Sequence, residues 1–370
     1  MAETIKETLK EIKAGRIGEA GLVRLLSLPT RDEFQPVFEE SARVCRRHFG
    51  DRVFIRGIVE FSNYCRKGCY YCGINKANRG LGRYRLTREE ILGAAAYMKK
   101  QGALTVVLQS GEDPGSDGLV LDAVRLIKRE LNMAITLSVG ERDKGRYAEF
   151  LAAGADRYLL RIETTDSDLF TTLHPDDDLE YRKQCLVDLN RLGYEVGTGI
   201  MVGLPGQSLA SIARDLLFFR ELNPAMVGIG PFLPHQDTPL RGRKNSDIFL
   251  TLKTLALIRL ILPKSNLPAT TAMGTIDPTG RQQALRVGAN VIMPNFTPSK
   301  YRESYKLYDD KICVSEEYGK CAACTRGIAQ AAGKRIVRSK GNARTSCGLK
   351  GKRFPGERTR LTFNDNRRII

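Results

Sequence analysis

An α/β chain that closes as a (β/α)8 barrel is what this sequence predicts, and three observations predict it. Eight short runs rich in Val, Ile, Leu and Thr recur along the chain. Between them apolar residues return with the 3.6-residue helical period, so strands alternate with helices and the sheet is parallel. Eight such units over about 240 residues match a closed barrel better than an open doubly wound sheet, the alternative.

In chain order, roughly the first fifty residues read as helices that precede the barrel. The strand runs follow at Val53–Ser62, Thr105–Glu112, Ala134–Glu141, Asp156–Thr164, Tyr194–Pro205, Met226–His235, Pro268–Gly274 and Asn290–Asn295. The first intervening helical stretch, "TREEILGAAAYMKKQG", opens with Thr87 and has Glu90 three residues on, the signature of a capping box. "LAAGADRYLL" and "LRVGANVIMP" each put a glycine at a helix end before the next strand. The expected domains are a helical segment 1–50, a barrel with a C-terminal cysteine segment 51–332, and a basic, flexible tail 333–370.

Composition narrows the class. The 370 residues are 42% hydrophobic, with no apolar run long enough to span a bilayer, and the charged N-terminus lacks a signal-peptide h-region. A cytoplasmic, non-membrane protein is expected. In that reducing compartment nine cysteines point to metal or redox chemistry rather than disulfides. Six are clustered, as Cys65/Cys69/Cys72 and Cys313/Cys321/Cys324, whereas Cys45 and Cys185 lie in helical patterns and read as small buried apolar residues. The formal charge is +17, but residues 333–370 hold twelve Lys/Arg against two acids, so +10 of it sits in the tail. Nucleic-acid binding is therefore not expected of the barrel itself.

Barrel active sites lie where strands lead into helices, and polar residues end most of the strand runs here. They include Ser110 and Glu112, Ser138 and Glu141, Arg161 and Glu163, His235, Thr270 and Thr271, and Asn295. Directly after the first strand comes "SNYCRKGCYYCGIN", with cysteines spaced C-x3-C-x2-C and no fourth cysteine or histidine in the stretch. Three thiolates can hold three irons of a cubane 4Fe–4S cluster and leave one iron open to a small ligand, as a catalytic zinc leaves a position for water. A zinc knuckle borrowing a remote ligand is the competing reading.

"CRKGCYYC" on a loop after the first barrel strand resembles the signature of the radical S-adenosylmethionine (SAM) superfamily. That resemblance implies a 4Fe–4S cluster whose open iron chelates SAM and whose electron cleaves it to a 5′-deoxyadenosyl radical. "QSGED" looks like the superfamily's GGE motif, implying that Ser110 and Glu112 meet the methionine amino group. "GIMVGLPGQ", with Met201, is similar to the segment that approaches adenine, and Tyr71 holds the motif's aromatic position beside the adenine ring.

Longer peptides look like the FeFe-hydrogenase maturase family HydE: "EFSNYCRKGCYYCGI", "VLQSGEDP", "GADRYLLRIET", "VGIGPFLPHQDTPL", "LPATTAMGTI" and "KICVSEEYGKCAAC", across about residues 20 to 330. By that resemblance Ser138, Glu163 and Arg182 also bind SAM, Glu163 at the ribose and Arg182 at the carboxylate. The family's radical acts inside the barrel on a cysteine-bound organometallic iron species on the way to the hydrogenase di-iron subcluster. Carried over position by position, the cavity residues are Arg161, Thr136, Thr270, Thr271, Met293, Tyr305 and Tyr308. Cys313, Cys321 and Cys324 would hold a second iron–sulfur cluster, 2Fe–2S or 4Fe–4S, with Cys347 a candidate fourth ligand. Expected partners are a small organometallic or amino-acid-derived substrate, a tyrosine-cleaving radical SAM maturase, a GTPase scaffold, and a reductant such as ferredoxin or flavodoxin.

Two departures stand out: Ile162 where the family commonly carries His, and the basic tail. Ile162 should face opposite to Arg161 and Glu163, because neighbours alternate across a strand. Rival readings are a radical SAM enzyme on a small organic substrate, of methylornithine-synthase or biotin-synthase type, and an RNA-binding module with a structural metal. A hydrolase is hard to build from three histidines without a G-x-S-x-G elbow.

Overall fold

The computed structural model describes residues 2–314 and 318–343. Ten short strands carry the barrel: β1 (Arg52–Ile55), β2 (Gly57–Ser62), β3 (Thr105–Ser110), β4 (Ala134–Ser138), β5 (Arg157–Leu159), β6 (Glu195–Val202), β7 (Met226–Pro231), β8 (Pro268–Ala269), β9 (Val291–Ile292) and β10 (Arg335–Val337). β1 and β2 are the expected first strand, interrupted at Arg56. All ladders are parallel, in the orders β2-β3-β4-β5-β6-β7 and β10-β1-β9-β8. Bridges Ile58↔Asn295 and Met226↔Asn266 close these two arcs into one ring. The expected eight strands are thus present.

Local signals act where they were read. Thr87 and Glu90 form a reciprocal capping box on the helix Arg88–Lys100. Gly154 and Gly288 end their helices at φ +116° and +150°, conformations that side-chain-bearing residues rarely adopt. Three N-terminal helices reach Phe49, and the third (Arg31–Phe49) packs on the barrel helix Ile248–Ile261. Lys253 ties this region together, its buried ammonium donating to the Leu26 and Leu28 carbonyls. Among the described residues no helix is long and apolar enough to cross a membrane.

The tail needs correction. Residues 333–343, expected to be loose, are built into the fold: β10 extends the sheet beside β1, and the chain then crosses the N-terminal floor of the barrel. There the Gly341 carbonyl accepts from Arg56 (3.0 Å) and Asn266 (3.1 Å), and the Lys340 carbonyl accepts from Thr105 (2.8 Å) and Arg157 (3.1 Å). Backbone carbonyls do most of this work, joined by the Asn342 side chain on Arg157 (2.6 Å), so the basic composition could not announce it. Residues 344–370, with Cys347, lie outside the described residues.

Candidate active site

The three cysteines follow β2 on the C-terminal face. Their loop is pinned by backbone bonds: Arg66 N–H donates to the Glu112 carbonyl (3.0 Å), Gly111 N–H to the Ser62 carbonyl (3.1 Å) and Gly73 N–H to the Leu307 carbonyl (3.0 Å). A Cβ at Gly111 would lie 2.3 Å from the Tyr64 carbonyl oxygen and 2.8 Å from Cys65 Cβ, so only glycine allows "QSGED" to approach the loop this closely. Cys65 Sγ accepts weak bonds from the Lys67 and Glu112 N–H groups, both at 3.4 Å.

Burial pushes all three thiols up, Cys72 to about 12, and Cys69 is raised further by Cys72 and Cys65. Cations of high charge are what would hold such a set as thiolates, so the donors suit iron.

An ionic network flanks the loop. Arg182 is buried; it donates to Glu141 (2.7 Å) and to Asp177 and sits over the Phe170 ring. Lys67 joins the same two carboxylates at 2.9 and 2.5 Å, and Arg66 pairs with Glu112 at 2.7 Å. Burial opposes ionisation of Glu141, yet Arg182 and Lys67 hold it below the usual carboxylate range. At Asp177 burial prevails over the pull of Arg182 and lifts it to about 6. Lys67 and Asp177 were not read from the sequence, although "CRKGC" and "HPDDD" carry them. A cleft of about 350 Å³ opens here, lined by Arg66, Lys67, Glu141, Asp177 and Tyr181 among others.

Tyr71 and Met201 come together against the apolar cluster of Leu169, Leu173, Leu204 and Phe232. Tyr71 Oη lies 2.8 Å from His174 Nε2, whose Nδ1 is 3.0 Å from the Phe170 carbonyl. The carbonyl can only accept, so Nδ1 carries the proton and Nε2 accepts from Tyr71. Burial, then Arg182, lowers His174 to about 3, which keeps the ring neutral.

Inside the barrel, polar side chains stand without partners. Thr136 Oγ1, Thr270 Oγ1 and Arg161 Nε are buried and make no hydrogen bond, while Arg161 Nη2 and Glu163 Oε2 form an ion pair at 2.9 Å. Unsatisfied groups of this kind are costly, on the order of 1–3 kcal/mol each, and three residues contributing them to one barrel interior mark a place for a polar guest. Glu163 is held at φ +65°, a conformation a non-glycine residue enters at a cost. A Cβ at Gly230 would meet Thr270 Oγ1 at 3.2 Å, so glycine keeps that space open. Ile162, just beyond β5, is fully buried in the main core.

Other predicted residues fall as follows. Ser110 Oγ donates to its neighbour's carbonyl at 2.6 Å, and Ser138 ends β4, beside Gln109 in the ladder. Thr271 begins a short helix for which Thr270 is the N-cap. Met293 packs with Phe49, Phe54, Val291 and Val337. Tyr305 is buried, and Tyr308 lies near Thr275 and Arg161. At the second cysteine group, Cys313 sits at φ +65° and Cys324 is exposed, 3.9 Å from Arg281 Nη2. The side chain of Cys321 lies outside the described residues.

Comparison with known proteins follows the same lines. Residues 59–219 match the Radical SAM superfamily. The chain is 48% identical over 339 residues to the [FeFe] hydrogenase maturase subunit HydE of Thermotoga maritima, covering 91% of this chain and 97% of that one. It is 30% identical over 303 residues to the 3-methylornithine synthase of Methanosarcina acetivorans, covering 81% and 85% of the two chains. The crystal structure of methylornithine synthase (PylB) superposes with a TM-score of 0.77 at 26% identity, over 89% of this chain and 97% of that one. HydG, a maturase of the [FeFe]-hydrogenase, shares the fold at a TM-score of 0.78 and 18% identity, over 92% and 77%. The chain is a radical SAM enzyme and belongs to the [FeFe]-hydrogenase maturase HydE family.

Proposed function

We propose that this enzyme carries a 4Fe–4S cluster on Cys65, Cys69 and Cys72 and uses SAM to act on a small anionic organometallic iron species inside the barrel, during assembly of the hydrogenase di-iron subcluster. When bound, the cluster and SAM supply a 5′-deoxyadenosyl radical. Everything else falls to the chain's own residues. Tyr71 and Met201 offer an apolar wall for adenine, Ser138 and Glu163 polar atoms for the ribose, and Ser110 and Glu112 acceptors for the amino group. Arg182 would meet the SAM carboxylate by giving up one of its two acidic partners.

The observation that carries this reading is the set of unpartnered buried atoms Thr136 Oγ1, Thr270 Oγ1 and Arg161 Nε, in the same barrel whose mouth holds the cysteine loop. The Arg161 Nε–H is left over beside the ion pair with Glu163, and it and the threonine hydroxyls can donate to an anionic guest. Thr271, Met293, Tyr305 and Tyr308 complete the wall, which shelters a reactive radical from solvent. Cys313, Cys321 and Cys324 are read as a second, peripheral iron–sulfur site. The electron donor is a low-potential carrier such as ferredoxin or flavodoxin, and the product passes to the other maturases, a tyrosine-cleaving radical SAM enzyme and a GTPase scaffold. The 3-methylornithine synthase likeness supports a second reading, a small organic substrate in the same cavity.

The test is anaerobic reconstitution with iron and sulfide followed by SAM and dithionite. The wild type should yield 5′-deoxyadenosine, and the Cys65→Ala/Cys69→Ala/Cys72→Ala triple variant none. Cleavage persisting in the triple variant would sink the proposal. Complementation of a hydrogenase-expressing strain lacking its own maturase of this family separates the two substrate readings.

A further inference from the structure

After the last barrel strand, residues 303–313 run across the C-terminal mouth as a strap with almost no regular structure. Four bonds hold it to the loops around the mouth. Asn63 Nδ2 donates to the Ser304 carbonyl (2.7 Å) and Gly73 N–H to the Leu307 carbonyl (3.0 Å). Asp309 N–H donates to the Pro234 carbonyl (3.0 Å) and Ile312 N–H to Thr275 Oγ1 (3.5 Å). The strap therefore joins the cysteine loop, the loop after β7 and the helix after β8. It also carries Tyr305 and Tyr308.

One strap side chain turns down into the barrel. Lys311 Nζ lies 2.7 Å from Glu60 Oε1 on β2 and donates to the Tyr305 carbonyl at 2.7 Å, with its ammonium 5.1 Å from the Tyr305 ring centroid. The second oxygen of Glu60 accepts from Asn295 Nδ2 at 2.8 Å. The Lys311 and Glu60 side chains are 8% and 4% exposed. A buried pair of this kind contributes little net stability, because desolvation offsets attraction, but it specifies geometry, since parting the ions leaves both charges buried.

We propose that Lys311 is a positioning residue: its bond to Glu60 latches the strap over the cavity and so sets Tyr305 and Tyr308 against the substrate. This rests on reading the barrel interior as the substrate cavity. Four bonds worth about 1 kcal/mol net each attach the strap, and the ion pair adds register: in the closed strap, misplacing Lys311 leaves two buried charges unpaired. Releasing it uncovers the barrel for a guest to enter, and re-forming it brings both phenols back over the guest.

Two measurements on the full-length, cluster-reconstituted protein test the latch. The first is amide hydrogen exchange at Gly73 and Asp309, whose N–H groups make the two backbone-to-backbone bonds between the strap and its neighbours. Lys311→Met should raise exchange at both by about tenfold and leave Val107 and Ile135, in the barrel strands, protected. Glu60→Gln should do the same, and the double variant no more than either single change. The second is ultraviolet titration of the phenols, isolated by subtracting the Tyr305→Phe/Tyr308→Phe background. Burial pushes both phenols above their ordinary value.

Removing a cation from a closed strap could only leave those phenols unchanged or raise them further; opening the strap lowers them toward the ordinary value of 10. Phenols that stay or rise, with Gly73 and Asp309 still protected, overturn the proposal. If Lys311→Met loosens the whole barrel, the Glu60→Gln exchange decides, and protection unchanged there overturns it equally. Neither measurement needs turnover. A wild type that never cleaves SAM would sink the functional reading and leave the latch standing, while a failed latch leaves SAM cleavage untouched.

Discussion

The two ends of this barrel treat buried charge in opposite ways. At the floor, Arg157 is bonded by Glu195, the Lys340 carbonyl and Asn342, and Arg56 by the Gly341 carbonyl, leaving only its Nε without a partner. Toward the mouth, Arg182 and Lys67 share two carboxylates tightly, while Arg161, Thr136 and Thr270 leave polar atoms bare. The floor is satisfied within the chain and so is structural. The other end stays incomplete, and that incompleteness is where chemistry with a guest is possible.

Breaking each end should separate these roles. The largest effect is expected from Arg182→Ala, which leaves Glu141 and Asp177 buried together with Lys67 as their remaining cation. A loss of about 3–5 kcal/mol is expected in urea unfolding of the cluster-free protein, with SAM affinity falling as well. Next is the floor: chains ending at Ala343 and at Ala332 differ by the covering segment, and the shorter should be less stable by about 2–3 kcal/mol in the same assay, as buried guanidinium and amide donors lose their carbonyls. If the two melt together, the floor is not a structural cap.

Gly111→Ala sharpens the contrast at the mouth. Its Cβ forces the Tyr64–Cys65 backbone to shift, so about 1–3 kcal/mol of overpacking should appear mainly as a reduced iron content after reconstitution. The smallest effect concerns Asp215, fully buried, whose carboxyl is raised to about 7 by burial against the bonds from Thr165. Its folded value exceeds its unfolded one, so the stability linked to protonation is complete at acid pH and is lost as pH rises through 7. Wild type should lose about 1 kcal/mol between roughly pH 6 and pH 8 that Asp215→Asn does not, read from thermal unfolding at the two pH values.

Much of the site was legible because its chemistry is local. The cysteine spacing, "QSGED" and the strand ends are contiguous peptides, and each occupies the expected face. Met293 shows the limit: its position in the last strand was predicted, but its neighbours Phe49 and Val337 come from distant segments. The basic tail was read as loose because its usefulness lies in carbonyl oxygens, which every residue has. Lys311 and Glu60 were passed over because charge in a sequence looks exposed until a partner 251 positions away is known.

By itself, then, the sequence determined the alternation of strands and helices, the caps, and the three-thiol loop after the first strand, since periodicity, capping and ligand spacing act over a few residues. The tertiary structure alone decided which polar atoms are left without partners, which cations the backbone satisfies, and how a strap with one buried lysine covers the mouth. Those outcomes depend on desolvation and on contacts between remote segments, and neither exists until the barrel closes.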